Sequence, residues 1–412
     1  MKAISLASDR HLETTTKPRA LDRFAEGLVR KQLAQLKVGR LTLIDGDRVD
    51  HFGGGEGPAA TITVRHADFW SDIAFGGSIG AGEAYMQGSW QVDDLTALVR
   101  LLLRNREVLD GMEGGAAAVT RPLQKLFHWV NRNTREGARR NISAHYDLGN
   151  DFFGLWLDET MMYSSAIFAR EDMSLHEAQL HRLDTICERL DLQPDDHLVE
   201  IGTGWGGLAI HAAKHYGCRV TTTTISEEQY KLAKARVAEA GLEDRITLLL
   251  EDYRDLEGQY DKLVSIEMIE AIGWRQYDTY FAKCNELLKP GGRLLIQAIT
   301  IAEPQYEEAK RSVDFIQRYI FPGANIPSVN AMTTSIAKAG DLMTTGLHDI
   351  GLDYAKTLNH WRQNFFARID EVRAQGYSEA FIRMWEYYLC YCEGGFEERA
   401  ISDVHLLAER PA

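Results

Sequence analysis

The sequence has little of several features that would take it outside ordinary globular proteins. Its 412 residues include 5 cysteines and 9 prolines. No apolar run approaches the roughly 18 residues that a membrane-spanning helix needs. The cysteines form no C-x-x-C pair and their number is odd, so we expect a reduced, cytoplasmic chain without a disulfide framework. Residues 1–20 lack the apolar core of a secretory signal and are expected to form a polar, frayed tail.

Positive charge is also scarce. Lys and Arg total 46 against 60 Asp and Glu, which gives a formal net charge of −14. Nucleic-acid binding needs a cationic footprint, so the composition argues against nucleic acid as a partner. With 45% hydrophobic and 26% charged residues, the composition is that of a globular protein. The length suits two domains.

The chain divides by composition into three parts. Residues 1–110 mix helical and short strand-like stretches and predict a small α+β domain. Residues 111–141 join a linker of small residues to a segment with six Lys or Arg against one acid and an apolar stripe at helical spacing. Such a basic amphipathic helix is typical of contact with an anionic membrane surface, and the alternative is a solvated interdomain helix. Residues 142–412 are predicted to form the catalytic domain.

Within the third part, strands and helices alternate from residue 197 onward. Apolar, β-rich stretches such as HLVEIG, RITLLL and GRLLIQAI are separated by helical ones. This alternation predicts a doubly wound α/β domain with a parallel sheet, and ISDVHLLAE near the C-terminus is interpreted as a last edge strand.

A glycine loop follows the first of these strands. Gly202, Gly204 and Gly207 form G-x-G-x-x-G, which lets a backbone approach a ligand closely and fits both NAD and S-adenosylmethionine sites. Glu200 stands just before the loop. The second strand ends in threonines rather than in the acid that a dinucleotide site needs, and LLKPGGRLLI is typical of S-adenosylmethionine methyltransferases. The pattern therefore favours S-adenosylmethionine, with Thr224 and Gln229 near the ribose.

The end of the third strand offers a candidate adenine site. Asp252 provides a hydrogen-bond acceptor, and Tyr253 provides an aromatic face directly beside it.

Several ordered motifs then resemble one family. They include HYDLGNDFFGLWLDETMMYSSAIF at 145–168, VEIGTGWGGLAIHAA, EMIEAIG, RYIFPGANIPSV and YYLCYCEGGF. Over about 139–400 the chain resembles the cyclopropane-fatty-acyl-phospholipid synthases, which include the mycolic-acid cyclopropane synthases. The resemblance implies a Rossmann-like, seven-stranded class I methyltransferase sheet with helical lid insertions. It also implies S-adenosyl-L-methionine as donor and the alkene of a phospholipid acyl chain as acceptor.

The family resemblance also implies a set of site residues. A bound bicarbonate ion would act as the base, held by Glu270, Tyr354, Gln297, Ile299 and Ser165. The cofactor-binding residues would be Tyr163, Ser164, Glu200, Gly202, Gly204, Thr224, Gln229, Asp252 and Tyr253. No metal is implied. Aromatic residues near these motifs either line an acyl tunnel or pack in the core: Phe152, Phe153, Trp156, Tyr319, Phe321 and Tyr388.

The chain departs from the family pattern at the anion site. Ser165 stands where the family has Cys, Gln297 where it has His, and Ala271 where a His commonly follows the Glu. Gln297 keeps a donor and an acceptor but cannot become cationic, so we expect the anion pocket to be kept but retuned. Glu267, three residues before Glu270, either caps or pairs structurally or shares the anion site.

Three functions remain open on these residues. The first is a transferase that builds a cyclopropane, or a methyl or methylene branch, on phospholipid acyl chains. The second is a small-molecule N-methyltransferase, and the third is a lipid-binding protein that has lost catalysis. We expect a cytoplasmic protein peripherally associated with the inner face of the membrane, with a homodimer as a further possibility that no motif demonstrates.

Overall fold

The computed structural model describes residues 19–114 and 148–412, which form two compact units. The first unit joins 19–114 to 312–320 and 370–400, and the second comprises the remaining described residues. The basic segment 121–141 lies outside the described residues. In the part of the chain that is described, no helix is both long and apolar enough to cross a membrane.

Eleven strands are present in the described ranges. In chain order they are β1 (Arg40–Asp45), β2 (Arg48–Gly53), β3 (Ala59–Val64), β4 (Trp90–Val92), β5 (His197–Ile201), β6 (Arg219–Thr223), β7 (Ile246–Leu249), β8 (Tyr260–Ile266), β9 (Leu288–Ile301), β10 (Met343–Asp349) and β11 (Ile401–Glu409).

The α-helices of the described ranges are Ala20–Leu33, Asp68–Met86, Leu95–Arg104, Arg106–Gly114, Asn150–Phe153, Leu175–Arg189, Gly207–His211, Glu227–Glu239, Ile269–Ile272, Tyr277–Leu287, Glu303–Ala309, Val329–Ala339, Gly351–Ala367, Ile369–Ala374 and Glu379–Glu397. Several begin at a serine whose side chain accepts a hydrogen bond from the first turn. Ser226, before Glu227–Glu239, accepts from the Gln229 N–H.

The first unit contains a four-stranded sheet in the order β2-β1-β3-β4. The sequence assigned 312–320 and 370–400 to the catalytic domain, whereas the structure groups both with the N-terminal segments. Side-chain packing explains the difference. A Cβ at Gly82 would lie 2.5 Å from the Phe315 ring, and the Thr96 hydroxyl donates to Glu393 at 3.2 Å. Neither long-range contact leaves a signal in the local sequence.

The second unit contains a seven-stranded sheet in the order β10-β11-β9-β8-β5-β6-β7. Strands β5 to β9 pair in parallel, as expected, but β11 runs antiparallel to both β9 and β10, so the sheet is mixed. The interpretation of ISDVHLLAE as an edge strand is wrong, because β11 lies between two strands. The strand at this edge of the sheet is β10, which the sequence did not reveal because its side chains are mostly exposed.

Two apolar clusters flank this sheet and hold its central strands in register. One centres on Leu263, Ile296 and Phe281, and the other on Leu198, Leu208 and Leu183. Because both faces of the central strands are buried, polar residues lie mainly where the strands end. The carboxyl ends of parallel strands meet along one edge, and open α/β sheets bind ligands there.

Candidate active site

The glycine loop leaves the carboxyl end of β5. The Gly202 N–H donates to the Thr223 carbonyl at 3.1 Å, which ties the loop to the end of β6. Gly202 has a φ of +98°, and a Cβ there would lie 3.3 Å from Cγ of Met268. Gly204 has a φ of +52°, and a Cβ there would have no atom within 4 Å. The loop therefore presents backbone to an open volume, which fits a bound ligand.

Glu200 is fully buried beside this loop. Its carboxylate accepts a hydrogen bond from the Thr222 hydroxyl at 2.5 Å. Burial raises the pKa of Glu200 to about 7, and the hydrogen bonds from nearby threonine hydroxyls only partly offset this effect. A carboxylate so deprived of water is suited to meet a cationic group of a ligand.

The residues predicted for the ribose and the adenine are prearranged by hydrogen bonds. The Thr224 hydroxyl donates to Gln229 Oε1 at 2.8 Å and holds that side chain. Asp252 accepts from Arg254 Nε at 2.8 Å and from its terminal nitrogen at 2.6 Å, a pairing that the sequence did not suggest. The Tyr253 hydroxyl is buried and has no hydrogen-bond partner among the described residues.

An aromatic cluster adjoins the glycine loop. Tyr163 packs against Phe153, Trp156 and Trp361 with ring centroids 5.3–5.4 Å apart. Phe153 also lies 5.1 Å from the ring of Trp205, the residue after Gly204. Ser164, which follows Tyr163 in the chain, has a buried hydroxyl without a hydrogen-bond partner among the described residues. Its carbonyl accepts a hydrogen bond from Gln179. The cluster makes this part of the site apolar, and the rings of Phe153, Trp156 and Trp361 are fully buried.

Glu267 lies at the carboxyl end of β8 and accepts three hydrogen bonds. Its Oε1 accepts from the Ser165 backbone N–H and from Gln297 Nε2, both at 2.8 Å, and its Oε2 accepts from the Tyr354 hydroxyl at 2.7 Å. Glu267 has a φ of +45°, a backbone conformation that non-glycine residues seldom adopt and that concentrates at functional sites.

Glu270 lies one turn further along the chain and has a different environment. Its Oε1 accepts from the Ile299 N–H at 2.6 Å, and its Oε2 is buried without a partner among the described residues. Burial, followed by the charge of Glu267, raises the pKa of Glu270 to about 8. Glu270 is therefore mostly protonated at neutral pH.

Gln297 connects Glu267 to a second buried network. Its Nε2 donates to Glu267 and to Asp403, both at 2.8 Å, and its Oε1 lies 3.1 Å from His405 Nε2 and 3.4 Å from an Arg182 nitrogen. Burial raises the pKa of Asp403 well above its usual range. Arg182, fully buried, supplies positive charge next to these carboxyl groups.

The predicted catalytic residues are brought together, but in an arrangement that the sequence did not suggest. Glu270 and Tyr354 are predicted to hold a shared anion; in the structure Tyr354 donates to Glu267, and Glu270 accepts from the Ile299 N–H. Arg182, Asp403 and His405 were missed. A signal for Arg182 existed, because the apolar spacing of Leu175–Arg189 places it on the buried face of that helix.

The strand order with one reversed strand, together with a glycine loop after β5 and a buried acid beside it, defines a class I S-adenosylmethionine-dependent methyltransferase. The family model for mycolic acid cyclopropane synthetase matches residues 133–406. The chain belongs to this family.

Known relatives agree with this assignment. The chain is 38% identical over 384 residues to a tuberculostearic acid methyltransferase of Mycobacterium tuberculosis, covering 90% of this chain and 87% of that protein. It is 38% identical over 350 residues to the cyclopropane-fatty-acyl-phospholipid synthase of Escherichia coli, covering 84% and 87%. A solved mycolic acid cyclopropane synthase complexed with SAH and CTAB superposes with a TM-score of 0.61 at 30% identity, covering 66% of this chain and 98% of that one.

Proposed function

We propose that this enzyme transfers the methyl carbon of S-adenosylmethionine to the cis double bond of unsaturated acyl chains in membrane phospholipids and forms a cyclopropane. The observation that carries the proposal is the juxtaposition of three features in one unit: an open glycine loop, a buried aromatic cluster, and buried carboxylates held by donors at the ends of β8 and β9.

The chemistry requires each of these features. An isolated alkene is a weak nucleophile, and its attack on a methyl group leaves a carbocation that water would trap. The site must therefore be dry, and aromatic faces stabilise positive charge. Tyr163, Trp156 and Trp361 provide such faces, and Tyr354 extends the cluster toward Glu267 through a ring contact with Trp361 at 6.0 Å.

The methyl donor is a second substrate that supplies an electrophilic methyl carbon. The residues fit it, since Gly204 faces open volume and Glu200 offers a buried carboxylate to its amino group. Thr224, Gln229, Asp252 and Tyr253 would meet its ribose and adenine, and Tyr163 and Ser164 would border its other side.

A base must then remove a proton from the transferred carbon. The family resemblance implies bicarbonate, held by Ser165, Gln297, Tyr354, Ile299 and Glu270. Four N–H or O–H donors from this set point at the carboxylate oxygens of Glu267 and Glu270, which supports an anionic base of that shape at this position.

Incubation with methyl-labelled S-adenosylmethionine and vesicles of unsaturated phospholipid tests the proposal. We expect label in the acyl chains and a mass gain of one CH2 per modified chain. Matched vesicles of saturated phospholipid and a panel of amines serve as controls. Label that enters amines and not unsaturated lipid would overturn the proposal in favour of an N-methyltransferase.

A second product is favoured by two observations. A relative that covers 90% of the chain is named a tuberculostearic acid methyltransferase, and the residue at the family's His position is Gln297. After a hydride shift, loss of the proton from the methyl carbon would leave a methylene branch of the same mass as the cyclopropane. Ozonolysis of the acyl chains separates the two, because it cleaves a methylene double bond and leaves the ring intact.

Access to lipid in a bilayer requires contact with its surface. We propose that the basic segment 121–141 provides it, since six cations beside an apolar stripe match anionic headgroups above acyl chains. The enzyme would then act from the inner face of the membrane, and a homodimer would present two such segments.

A further inference from the structure

The donors expected to hold an external base already hold a side chain. Three of them, the Ser165 N–H, Gln297 Nε2 and the Tyr354 hydroxyl, all bind the carboxylate of Glu267 at 2.7–2.8 Å. A second anion could use these donors only by displacing that carboxylate. A carboxylate and a bicarbonate present the same planar O–C–O group, so the side chain satisfies the same hydrogen-bond geometry.

We propose that Glu267 is the general base of this enzyme and takes the place of an external anion. The proposal rests on the lipid methylation proposed above. It assigns a catalytic role to a residue that sequence reasoning left open between a structural pair and the anion site.

The carboxylate has capacity left for this role. An ionised carboxylate offers about four lone-pair positions. Oε1 accepts from two N–H donors and Oε2 accepts from the Tyr354 hydroxyl, while the Asp403 carboxyl shares a further hydrogen bond with Glu267. Oε2 accepts fewer of the N–H and O–H bonds and is the oxygen that would take a proton. Burial raises the pKa of Glu267, which strengthens it as a base, and the Tyr354 and Ser165 bonds and the charge of Arg182 favour its ionised form.

The neighbouring acids keep the negative charge on one residue. Glu270, with one donor and a pKa near 8, remains protonated at neutral pH. The pKa of Asp403 is also raised. Since Glu267 has the largest set of donors among the three, it is the carboxyl group that ionises at least cost.

The position of Glu267 fits the reacting atoms. Gly202, in the donor loop, lies against the side chain of Met268, the residue that follows Glu267. The end of β8 therefore adjoins the glycine loop that holds the methyl donor. Glu267 has a positive φ at the end of β8, and with this backbone conformation its carboxylate meets the donors of Ser165, Gln297 and Tyr354.

The reaction balances with Glu267 alone. The alkene electron pair bonds to the methyl carbon, the carbon–sulfur bond breaks, and its pair remains on sulfur. Glu267 Oε2 then takes one proton from the transferred carbon, and the freed C–H pair closes the ring onto the cationic carbon. The proton leaves to solvent when the product departs, so no oxidant or reductant is needed.

The first test measures wild-type turnover with unsaturated phospholipid vesicles in buffer freed of carbon dioxide and again with added bicarbonate. We expect the two rates to agree within about twofold, because the base is part of the chain. Turnover that falls about tenfold or more in depleted buffer and returns with bicarbonate would overturn the inference. No turnover in either buffer would instead overturn the proposed function.

The second test replaces the base. Glu267→Gly removes the carboxylate and keeps its three donors, and glycine adopts the positive φ without strain. We expect turnover to fall at least about 100-fold and to recover in part with added bicarbonate, while affinity for S-adenosylmethionine stays near wild type. The turnover of Glu267→Gln should fall equally far and should not recover when bicarbonate is added. Glu257→Gln, an exposed acid before β8, is the matched control. Wild-type turnover by Glu267→Gln would overturn the inference; if neither variant folds, the depletion experiment still decides.

Discussion

At the scale of single residues, burial controls the chemistry of this site. Glu200, Glu267, Glu270 and Asp403 are all withdrawn from water, and each has a raised pKa with burial as the largest cause. What separates their roles is the number of donors that each one receives.

Glu200 should make donor affinity depend on pH. Its pKa near 7 means that it is mostly protonated at pH 6 and mostly ionised at pH 8. Because the ionised form meets the ammonium group of S-adenosylmethionine, we expect affinity to rise over this interval. Glu200→Gln should weaken binding at pH 8 by about 10-fold or more and flatten the pH dependence. Calorimetry at several pH values measures this, with exposed Glu239→Gln as control. An unchanged slope in Glu200→Gln would rule out this role.

Glu270 should make stability depend on pH. Its folded-state pKa is raised to about 8, so between its unfolded value and pH 8 the folded state binds the extra proton. The free energy of unfolding therefore falls as pH rises through this window, by at most about 1.4 kcal/mol per pH unit from this group. The Glu270→Gln side chain stays neutral at every pH, so the unfolding free energy of this variant should fall less steeply as pH rises. Urea unfolding between pH 5 and pH 8.5 tests this; parallel slopes for wild type and variant would contradict it.

At the scale of elements, the glycine loop and the helix Leu175–Arg189 bring distant parts of the sequence to the site. The loop keeps side chains away from the ligand volume. The helix delivers a buried cation to the amide of Gln297 on β9 and to the nearby carboxyl groups of Glu267, just after β8, and Asp403 on β11. Each element supports one prediction.

A comparison of Gly204→Ala with Gly241→Ala should separate the stability cost of backbone strain from the loss of affinity for the methyl donor. Gly204 and Gly241 both have positive φ, +52° and +64°, and both have open space where a Cβ would be. Either alanine should cost about 1–2 kcal/mol of stability. Only Gly204→Ala should also lose affinity for S-adenosylmethionine, because only its Cβ enters the donor volume. Thermal unfolding and calorimetry on both variants make the comparison. Equal affinities would show that the donor does not approach this loop.

Arg182→Met should destabilise the carboxyl network without creating a large cavity. The guanidinium donates to Gln179 at 2.8 Å and to Gln297, and its charge favours the ionised form of Glu267. We expect a loss of about 1–3 kcal/mol in unfolding free energy and lower turnover at neutral pH, with activity recovering as pH rises. Exposed Arg170→Met is the control. A pH–rate profile identical to wild type would mean that Arg182 only fills space.

At the scale of the whole molecule, the net charge of −14 opposes binding to an anionic bilayer. A local cluster must therefore provide the attraction that the proposed substrate demands. The basic segment 121–141 is the strongest such cluster in the sequence.

We expect the enzyme to sediment with vesicles that contain anionic phospholipid and to be released by about 0.5 M salt, as screening shortens the reach of its cations. Glutamine at all six cationic positions should abolish this binding: Arg121, Lys125, Arg132, Arg135, Arg139 and Arg140. Neutral vesicles are the control for apolar insertion. Retained, salt-sensitive binding by the six-fold variant would assign the membrane surface to another part of the chain.

The sequence by itself determined the α/β class, the glycine loop and the family, because strand–helix alternation and short motifs are local patterns. It also located Glu270, Tyr354, Gln297 and Ser165 as candidates. Only the tertiary structure decided that three of these four converge on Glu267, and that Arg182, Asp403 and His405 complete the network. The physical reason is that a carboxylate's charge and basicity depend on burial and on donors from distant strands and helices. Those contacts exist only after β8, β9 and β11 pair, and no local pattern records them.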